Sequence, residues 1–338
     1  MAQYKSIAVI YGSDSSEWEV SCRSGEFVAS RLDDTVFDIY EIFARYGKWS
    51  LVAMRKQNSM RVTFPEGACP EVDKSDFSVK VLGEKVRFDF AYIVQHGFPG
   101  ETGHLQGYLE MLGVPHSSCS AFVSSVVFDK YACKRYIGDV DFVRLAPDVF
   151  VRKGDDVEAA AAETAAKLRF PVFVKPTSGG SSFGITRVTS PEGIAEAVRY
   201  AFSESETVII EQGVTGRELT CAAYRDGAQV KTLPVIEIIS ENEYFDYDAK
   251  YNGHSREVCP AEIPDELAEL VQDTTAKLYA RLGCKGVVRM DYIAGEEGLW
   301  FLEVNTIPGM TSASLVPKMV RTARIPITDF LSTVIANS

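Results

Sequence analysis

The sequence predicts an α/β protein, α+β in part, and three patterns carry that expectation. The chain opens with an apolar run, KSIAVIYG, that breaks at Gly12-Ser13-Asp14 and leads into helix-like sequence. Further on, Ala-rich and amphipathic helical stretches alternate with short apolar strands. Near the end, two strand-like runs, VVRMDYIAG and LWFLEVN, meet at a Gly-bounded turn. Such alternation is what helices layered on sheets require, because each element must bury one face.

Taken in order, Ile7 to Tyr11 reads as a buried strand, and a helix follows from about Glu19 to Leu32. FDFAYIVQHG reads as a second buried strand ending at His96-Gly97, before the polar, Gly-rich GFPGETGHLQG and the helical YLEMLG. Strand, loop and helix in that order predict an open first domain with a site at the strand ends. Composition shifts after about Asp129, where KYACKRYI is helix-like and FVRLAPDVFV carries the chain into a second unit. There DDVEAAAAETAAKL and PEGIAEAVRYAF are helices, and FPVFVKP and ETVIIEQ are strands. The last third begins near Leu219 with LTCAAY and LPVIEII, then a long polar and aromatic loop from Ser240 to Pro260. In ELAELVQDTTAKLYARLG, the residues Leu267, Leu270, Val271, Thr274, Leu278 and Leu282 form one helical stripe, with Gly283 as the stop. The expected domains are 1–129, 130–218 and 219–338, with a lid at 240–260.

A chain of 338 residues has room for two or three cores, and 46% apolar against 24% charged residues describes a globular protein. Thirty-five basic residues against 47 acidic ones leave a net charge of −12, which argues against nucleic acid as a partner. No apolar run reaches membrane length, so a cytoplasmic location is expected. Seven singly spaced cysteines, without a CxxC pair, read as free thiols.

Side chains alternate faces along a strand, so Arg289 and Asp291 share one face, as do Glu303 and Asn305. An odd-numbered loop, Gly295 to Leu299, would set Asp291 opposite Glu303 and Arg289 opposite Asn305. Two carboxylates and an amide oxygen suit Mg²⁺; a solvated polar face on a half-exposed hairpin fits the same pattern. In VFVKPTSGGSSFGI a strand delivers Lys175 to a loop containing Gly179, Gly180, Ser181, Ser182 and Gly184. Backbone N–H groups and hydroxyls there can cradle phosphate, although a plain flexible turn has the same composition. The lysine precedes the glycines, so this is not the GxxxxGK[ST] loop. Lys130 is a second candidate phosphate contact. Glu211 and Glu218 are candidates for an adenine amine and ribose hydroxyls, or else exposed strand-end charges. Glu17 can hold an ammonium group or serve a helix N-terminus. The loop YFDYDAKY, with Tyr244, Tyr247, Lys250 and Tyr251, reads as a lid.

Together these stretches resemble the D-alanine:D-alanine ligases of the ATP-grasp superfamily, from about Ile7 to Pro317. The most specific matches are EVNTIPGMTSASLVPK, HGFPGETGHLQG, KPTSGGSSFGI, FDYDAKY and SSEWEVS. The resemblance implies a three-domain architecture with nucleotide bound between two α+β domains. It implies that Asp291, Glu303 and Asn305 hold two Mg²⁺ ions, with Mn²⁺ as an alternative and Glu303 bridging. Lys130, Lys175 and the Ser181-Ser182 loop would hold ATP phosphates, Glu211 the adenine, Glu218 the ribose, and Lys250 the terminal phosphate. Glu17, helped by His96, would bind the first D-alanine ammonium, and Ser314 the second carboxylate. Arg289 and the backbone near Gly309 would face the oxyanion, and Glu17, Ser181 and Tyr251 would hydrogen-bond when the lid shuts. A homodimer through the first domain is implied as well.

Three positions depart from that pattern. Thr102 in GETG stands where relatives usually have Asp, Phe183 where many have Val, and Ala313 where His is usual beside Ser314. Phe at the second of these also occurs in ligases that make D-alanyl-D-lactate. Tyr251, within an intact YDAKY, favours an amine nucleophile, so D-alanyl-D-alanine is the expected product, with D-alanyl-D-lactate or another carboxylate-amine ligation as the alternative. A dinucleotide-binding dehydrogenase is the rival by fold analogy, but IYGSDSSEWE lacks GxGxxG. A non-catalytic nucleotide-binding module is the other rival, and the intact set of acids and phosphate lysines opposes it.

Overall fold

The computed structural model describes residues 4–180, 183–240 and 255–338. A five-stranded sheet forms first, in the order Val62–Thr63, Lys48–Arg55, Asp38–Arg45, Ser6–Gly12, Phe90–Ile93. Its centre is parallel, Ser6–Gly12 pairing with both Asp38–Arg45 and Phe90–Ile93. That explains the unbroken apolar run SIAVIYG: both faces are covered, so there is no solvent face to alternate toward. The hairpin between Asp38–Arg45 and Lys48–Arg55 turns on Tyr46-Gly47, both at positive φ, a turn whose twist matches its strands.

Helix Trp18–Arg31 packs on this sheet, one residue displaced from the expected span. Gly25 permits the close approach, since a Cβ there would overlap the Tyr11 ring. Gly12 lies at φ 103°, where a Cβ would come 2.6 Å from the Ala44 carbonyl oxygen, and the chain turns there toward Glu17.

The second sheet is antiparallel, in the order Asp148–Arg152, Thr207–Gln212, Val172–Pro176, Thr186–Val188. Helices Val157–Lys167 and Ile194–Ala201 close one core with it. The Asp156 side chain caps the first of these, accepting from the N–H groups of Glu158 and Ala159.

The third sheet runs Ser255–Val258, Ile236–Ser240, Arg217–Asp226, Val288–Gly295, Gly298–Asn305, Arg144–Leu145, with Gln229–Thr232 beside Arg217–Asp226. Helix Asp265–Leu282 covers it and stops at Gly283 in the left-handed region, as expected. The stripe differs in one respect from the expected one. Leu270 is 43% exposed, while Thr275 and Tyr279 are buried, so the seam lies one position round from the predicted line. The Thr275 and Tyr279 hydroxyls reach Tyr292 and the Gly286 carbonyl, which lets polar tips sit inside. Ser240 and residues 255–258, expected within the lid, are paired strand residues; the stretch between them lies outside the described residues.

Two interlocks matter for the site. Helices Ala121–Phe128 and Lys130–Tyr136 send Val123, Val127 and Cys133 into the core of the third sheet. Helices Leu315–Thr322 and Ile327–Ala336 share a core with Ile7 and Val9 of the first sheet and Val28 of the helix packed on it. Replacing Gly25 by Ala should lower stability by about 1–3 kcal/mol, because the helix must shift off Tyr11. A thermal melt no different from that of the parent protein would refute this close approach.

Candidate active site

The hairpin of Val288–Gly295 and Gly298–Asn305 pairs Asp291 with Glu303 and Arg289 with Asn305. The expected odd loop does not produce this register. Gly295 pairs with Gly298 across a two-residue turn, and a β-bulge leaves Leu302 without a partner between Phe301 and Glu303. The extra residue restores the facing of the two acids and bends the strand at the site. Arg289 holds Asp291 with two bonds, Nε to Oδ1 at 2.9 Å and Nη2 to Oδ2 at 2.8 Å. The Thr220 hydroxyl donates to Oδ1 as well. Burial works against the Arg289 charge, but Asp291 and Glu303 outweigh it and raise the guanidinium pKa. Lys130 Nζ lies 3.4 Å from Glu303 and donates to the Gly179 carbonyl at 3.4 Å, so it bridges the hairpin and the Gly/Ser loop. The Asn305 amide oxygen accepts from Ile307 N–H. The two acids and the amide of this hairpin carry oxygens that a hard cation takes as ligands, a set matched to Mg²⁺. Among the described residues no three His, Cys, Asp or Glu side chains form a metal cluster, so an ion here depends on Asn305 as well as the two acids.

Lys175 and Glu211 form the second wall. Lys175 Nζ donates to Glu211 Oε2 at 2.8 Å, and Lys134 to Oε1 at 2.6 Å. Burial alone would raise the Glu211 pKa, yet the two lysines overcome it and hold it down at about 2. Each oxygen keeps a lone pair for a further donor. Lys134 escaped the sequence reading: a lysine in KYACKRYI resembles any surface lysine until the fold buries it.

At the third side Glu17 precedes helix Trp18–Arg31, and a Cβ on Gly180 would lie 2.8 Å from its Oε2, so the Gly/Ser loop touches the start of this helix. His96 is fully committed. Nδ1–H donates to the Ile307 carbonyl at 3.0 Å, and Nε2 accepts from Ser24, whose oxygen accepts from Met310 N–H. Burial lowers its pKa despite Glu17, so the ring is neutral and pins the 307–310 backbone to helix Trp18–Arg31. Glu101, also missed, accepts from Gly97 N–H at 2.6 Å, and burial, reinforced by Glu17, pushes its pKa up to about 8. Only its place in a Gly-rich loop at a strand end could have flagged it. Ser314 Oγ accepts from Thr311 N–H at the start of helix Leu315–Thr322 and borders Gly309.

One cleft of about 950 Å³ gathers these groups: Glu17, His96, Glu101, Lys130, Lys175, Glu211, Glu218, Arg289, Asp291, Glu303, Asn305, Gly309 and Ser314 all line it. Ser181, Ser182, Tyr244, Tyr247, Lys250 and Tyr251 lie outside the described residues.

Comparison with known proteins agrees in extent with this arrangement. The family model "D-ala D-ala ligase N-terminus" matches residues 6–119, and "D-ala D-ala ligase C-terminus" matches 137–336. A D-alanine–D-alanine ligase of Phocaeicola vulgatus is 41% identical over 334 residues, 98% of this chain and 99% of that protein. One from Parabacteroides distasonis is 41% identical over 332 residues, 98% of this chain and 96% of that protein. Among solved structures, the VanG D-Ala:D-Ser ligase of Enterococcus faecalis superposes with a TM-score of 0.86 at 30% identity, covering 98% of this chain and 99% of that one.

Glu101 makes stability depend on pH in a defined direction. Its native pKa of about 8 exceeds the ordinary 4.5, so its contribution is complete below pH 4.5 and is lost as pH rises toward 8. The Glu101→Gln variant should lack that component. Denaturant melts from pH 5 to 8 should show the difference between the two proteins widening with pH, and parallel curves would contradict the raised pKa.

Proposed function

The chain belongs to the D-alanine–D-alanine ligase family, and we propose that it joins two D-alanine molecules into D-alanyl-D-alanine with consumption of ATP, for peptidoglycan precursors. The observation that carries this reading is the meeting of three sets of side chains in one cleft: the Arg289, Asp291, Glu303, Asn305 hairpin, the lysines Lys130 and Lys175, and the pair Glu17 and Ser314. Three sheets arranged as described fit the ATP-grasp fold, with nucleotide between the second and third units and boundaries near 129 and 218.

A carboxylate resists attack by an amine, so the first D-alanine is activated: its carboxylate oxygen takes the γ-phosphoryl group of ATP, giving D-alanyl phosphate and ADP. The second amine then adds to the acyl carbon and phosphate leaves. Lys130 and Lys175 hold phosphates from opposite walls, joined by Ser181, Ser182 and Lys250. Glu211 takes the adenine and Glu218 the ribose. Asp291, Glu303 and Asn305 would hold two Mg²⁺ ions, or Mn²⁺, which when bound neutralise phosphate oxygens. Glu17 receives the first ammonium, and His96 serves it by keeping the 307–310 backbone in place. Arg289 spends two N–H groups on Asp291 and has three left for the oxyanion, alongside the backbone at Gly309. Ser314 holds the second carboxylate beside the unpaired N–H groups of its helix. Glu17, Ser181 and Tyr251 close the site, because water would hydrolyse the acyl phosphate. We also infer a cytoplasmic homodimer joined through the first domain; no helix among the described residues is long and apolar enough to cross a membrane.

D-Lactate as second substrate is the alternative, and Phe183 in the cleft wall is the observation that keeps it. Incubation with ATP, Mg²⁺ and D-alanine, with and without D-lactate, should yield D-alanyl-D-alanine as the main product by mass in both cases. A mixture dominated by the depsipeptide would reverse the choice, and no ADP formed with D-alanine would remove the ligase reading. Within that assay, Glu17→Gln should raise KM for D-alanine by about tenfold or more while leaving ADP affinity alone, since it loses a charge-assisted contact to substrate.

A further inference from the structure

We propose that Lys134, which does not line the cleft, keeps the charge of Lys175 available to the nucleotide by satisfying Glu211 from behind; this rests on the ATP-dependent reading above. Its ammonium is almost wholly enclosed, at 2% side-chain exposure. It donates to the Ala146 carbonyl at 2.7 Å and to Glu211 Oε1 at 2.6 Å, and Asp148 Oδ2 lies 2.7 Å away as an ion-pair partner. None of its bonding capacity faces the cleft. Its work is therefore done on its neighbours.

Asp148 and Glu211 stand directly opposite across the antiparallel pair Asp148–Arg152 and Thr207–Gln212. Two carboxylates so placed in a closed wall repel, and each resists removal from water. Lys134 sits between them and joins both. Arg135 meets the same Asp148 oxygen, at 2.5 Å, and Lys175 takes the remaining Glu211 oxygen. Three cations thus meet two carboxylates, and the positive charge in surplus is on Lys175, the member that lines the cleft. Remove Lys134 and Glu211 has only Lys175 to balance it. The ammonium of Lys175 is then drawn wholly into the wall, and phosphate meets a neutral surface.

The sequence places Lys134 where this can happen. Helix Lys130–Tyr136 is one short segment, and residues four apart share a face, so Lys130 enters the cleft and Lys134 enters the wall behind it. Asp129 caps that helix through Ala132 N–H and accepts from Thr177 and Ser178, which follow Lys175 in the chain. The helix is thus fastened to the strand whose lysine it serves.

The test uses the full-length protein and five forms: wild type, Lys134→Met, Lys134→Gln, Lys134→Arg, and Lys153→Met as a control. Lys153 pairs with Glu206 on the surface and removes the same charge from the same unit. ADP affinity is measured by titration calorimetry, and KM for ATP and for D-alanine by steady-state assay. Lys134→Met should weaken ADP binding and raise KM for ATP by about tenfold or more, with kcat at saturating ATP and KM for D-alanine within about twofold. Lys134→Gln, which also lacks the charge, should be weakened alike, Lys134→Arg, which keeps it, should stay within about threefold of wild type, and Lys153→Met should match wild type. A folded Lys134→Met that binds ADP as wild type does overturns the proposal, whatever its melting temperature. Should that variant not fold, Lys134→Gln decides, and ADP binding there equal to wild type overturns it as well. Wild-type protein that binds no ADP would instead remove the ATP-dependent reading itself.

Discussion

Charge withdrawn from water must be matched within a few ångströms, and that constraint organises this cleft. The idealised cost of moving a single carboxylate or ammonium into an apolar interior is on the order of 20 kcal/mol, more than the stability of a whole domain. Asp291 is tolerable because Arg289 and Thr220 take its oxygens, and Glu211 because Lys134 and Lys175 take its own. The partners come from different parts of the chain. Lys134 and Glu211 stand 77 residues apart, Thr220 and Asp291 71 apart. A cleft with this polarity can exist only where several sheets converge.

That convergence is enforced by apolar packing remote from the chemistry. The C-terminal helices bury Val316, Met319 and Phe330 against the strand and helix of the first sheet, and Val123, Val127 and Cys133 lock the segment around Lys130 onto the third. Each such side chain contributes about 1.5–3 kcal/mol when buried. The first sheet is therefore held to the third by a continuous core, and Glu17 and His96 come to the cleft from the ends of that first sheet's elements. His96 shows the economy of the arrangement: with both ring nitrogens engaged it joins the first sheet's end to the backbone that leads to Gly309 and Ser314.

The hairpin shows what register means for function. Alternation of side chains placed Arg289 beside Asp291 and Glu303 beside Asn305, whatever the loop did. Whether the acids faced each other was a separate matter, decided by an unpaired Leu302 that no turn rule anticipates. In the same way, period 3.6 identified helix Asp265–Leu282 and its glycine stop, yet assigned Leu270 to the seam where Thr275 and Tyr279 belong. A hydroxyl with a buried partner is indistinguishable in sequence from one in water. The small sheet of Val72–Asp73, Ser78–Val81 and Glu84–Arg87 left no expectation at all, being short strands rich in charge.

By itself the sequence determined the order of elements, the cleft-facing alternation of the hairpin, and a set of polar residues whose spacing matches one family. These are local properties, dictated by strand and helix periodicity and by glycine. Tertiary structure alone decided that Glu101 carries a raised pKa, that Lys134 lies buried behind Glu211, and that a bulge sets Asp291 against Glu303. Each depends on the field or the packing of groups distant in the chain, and no local pattern encodes the distance between them.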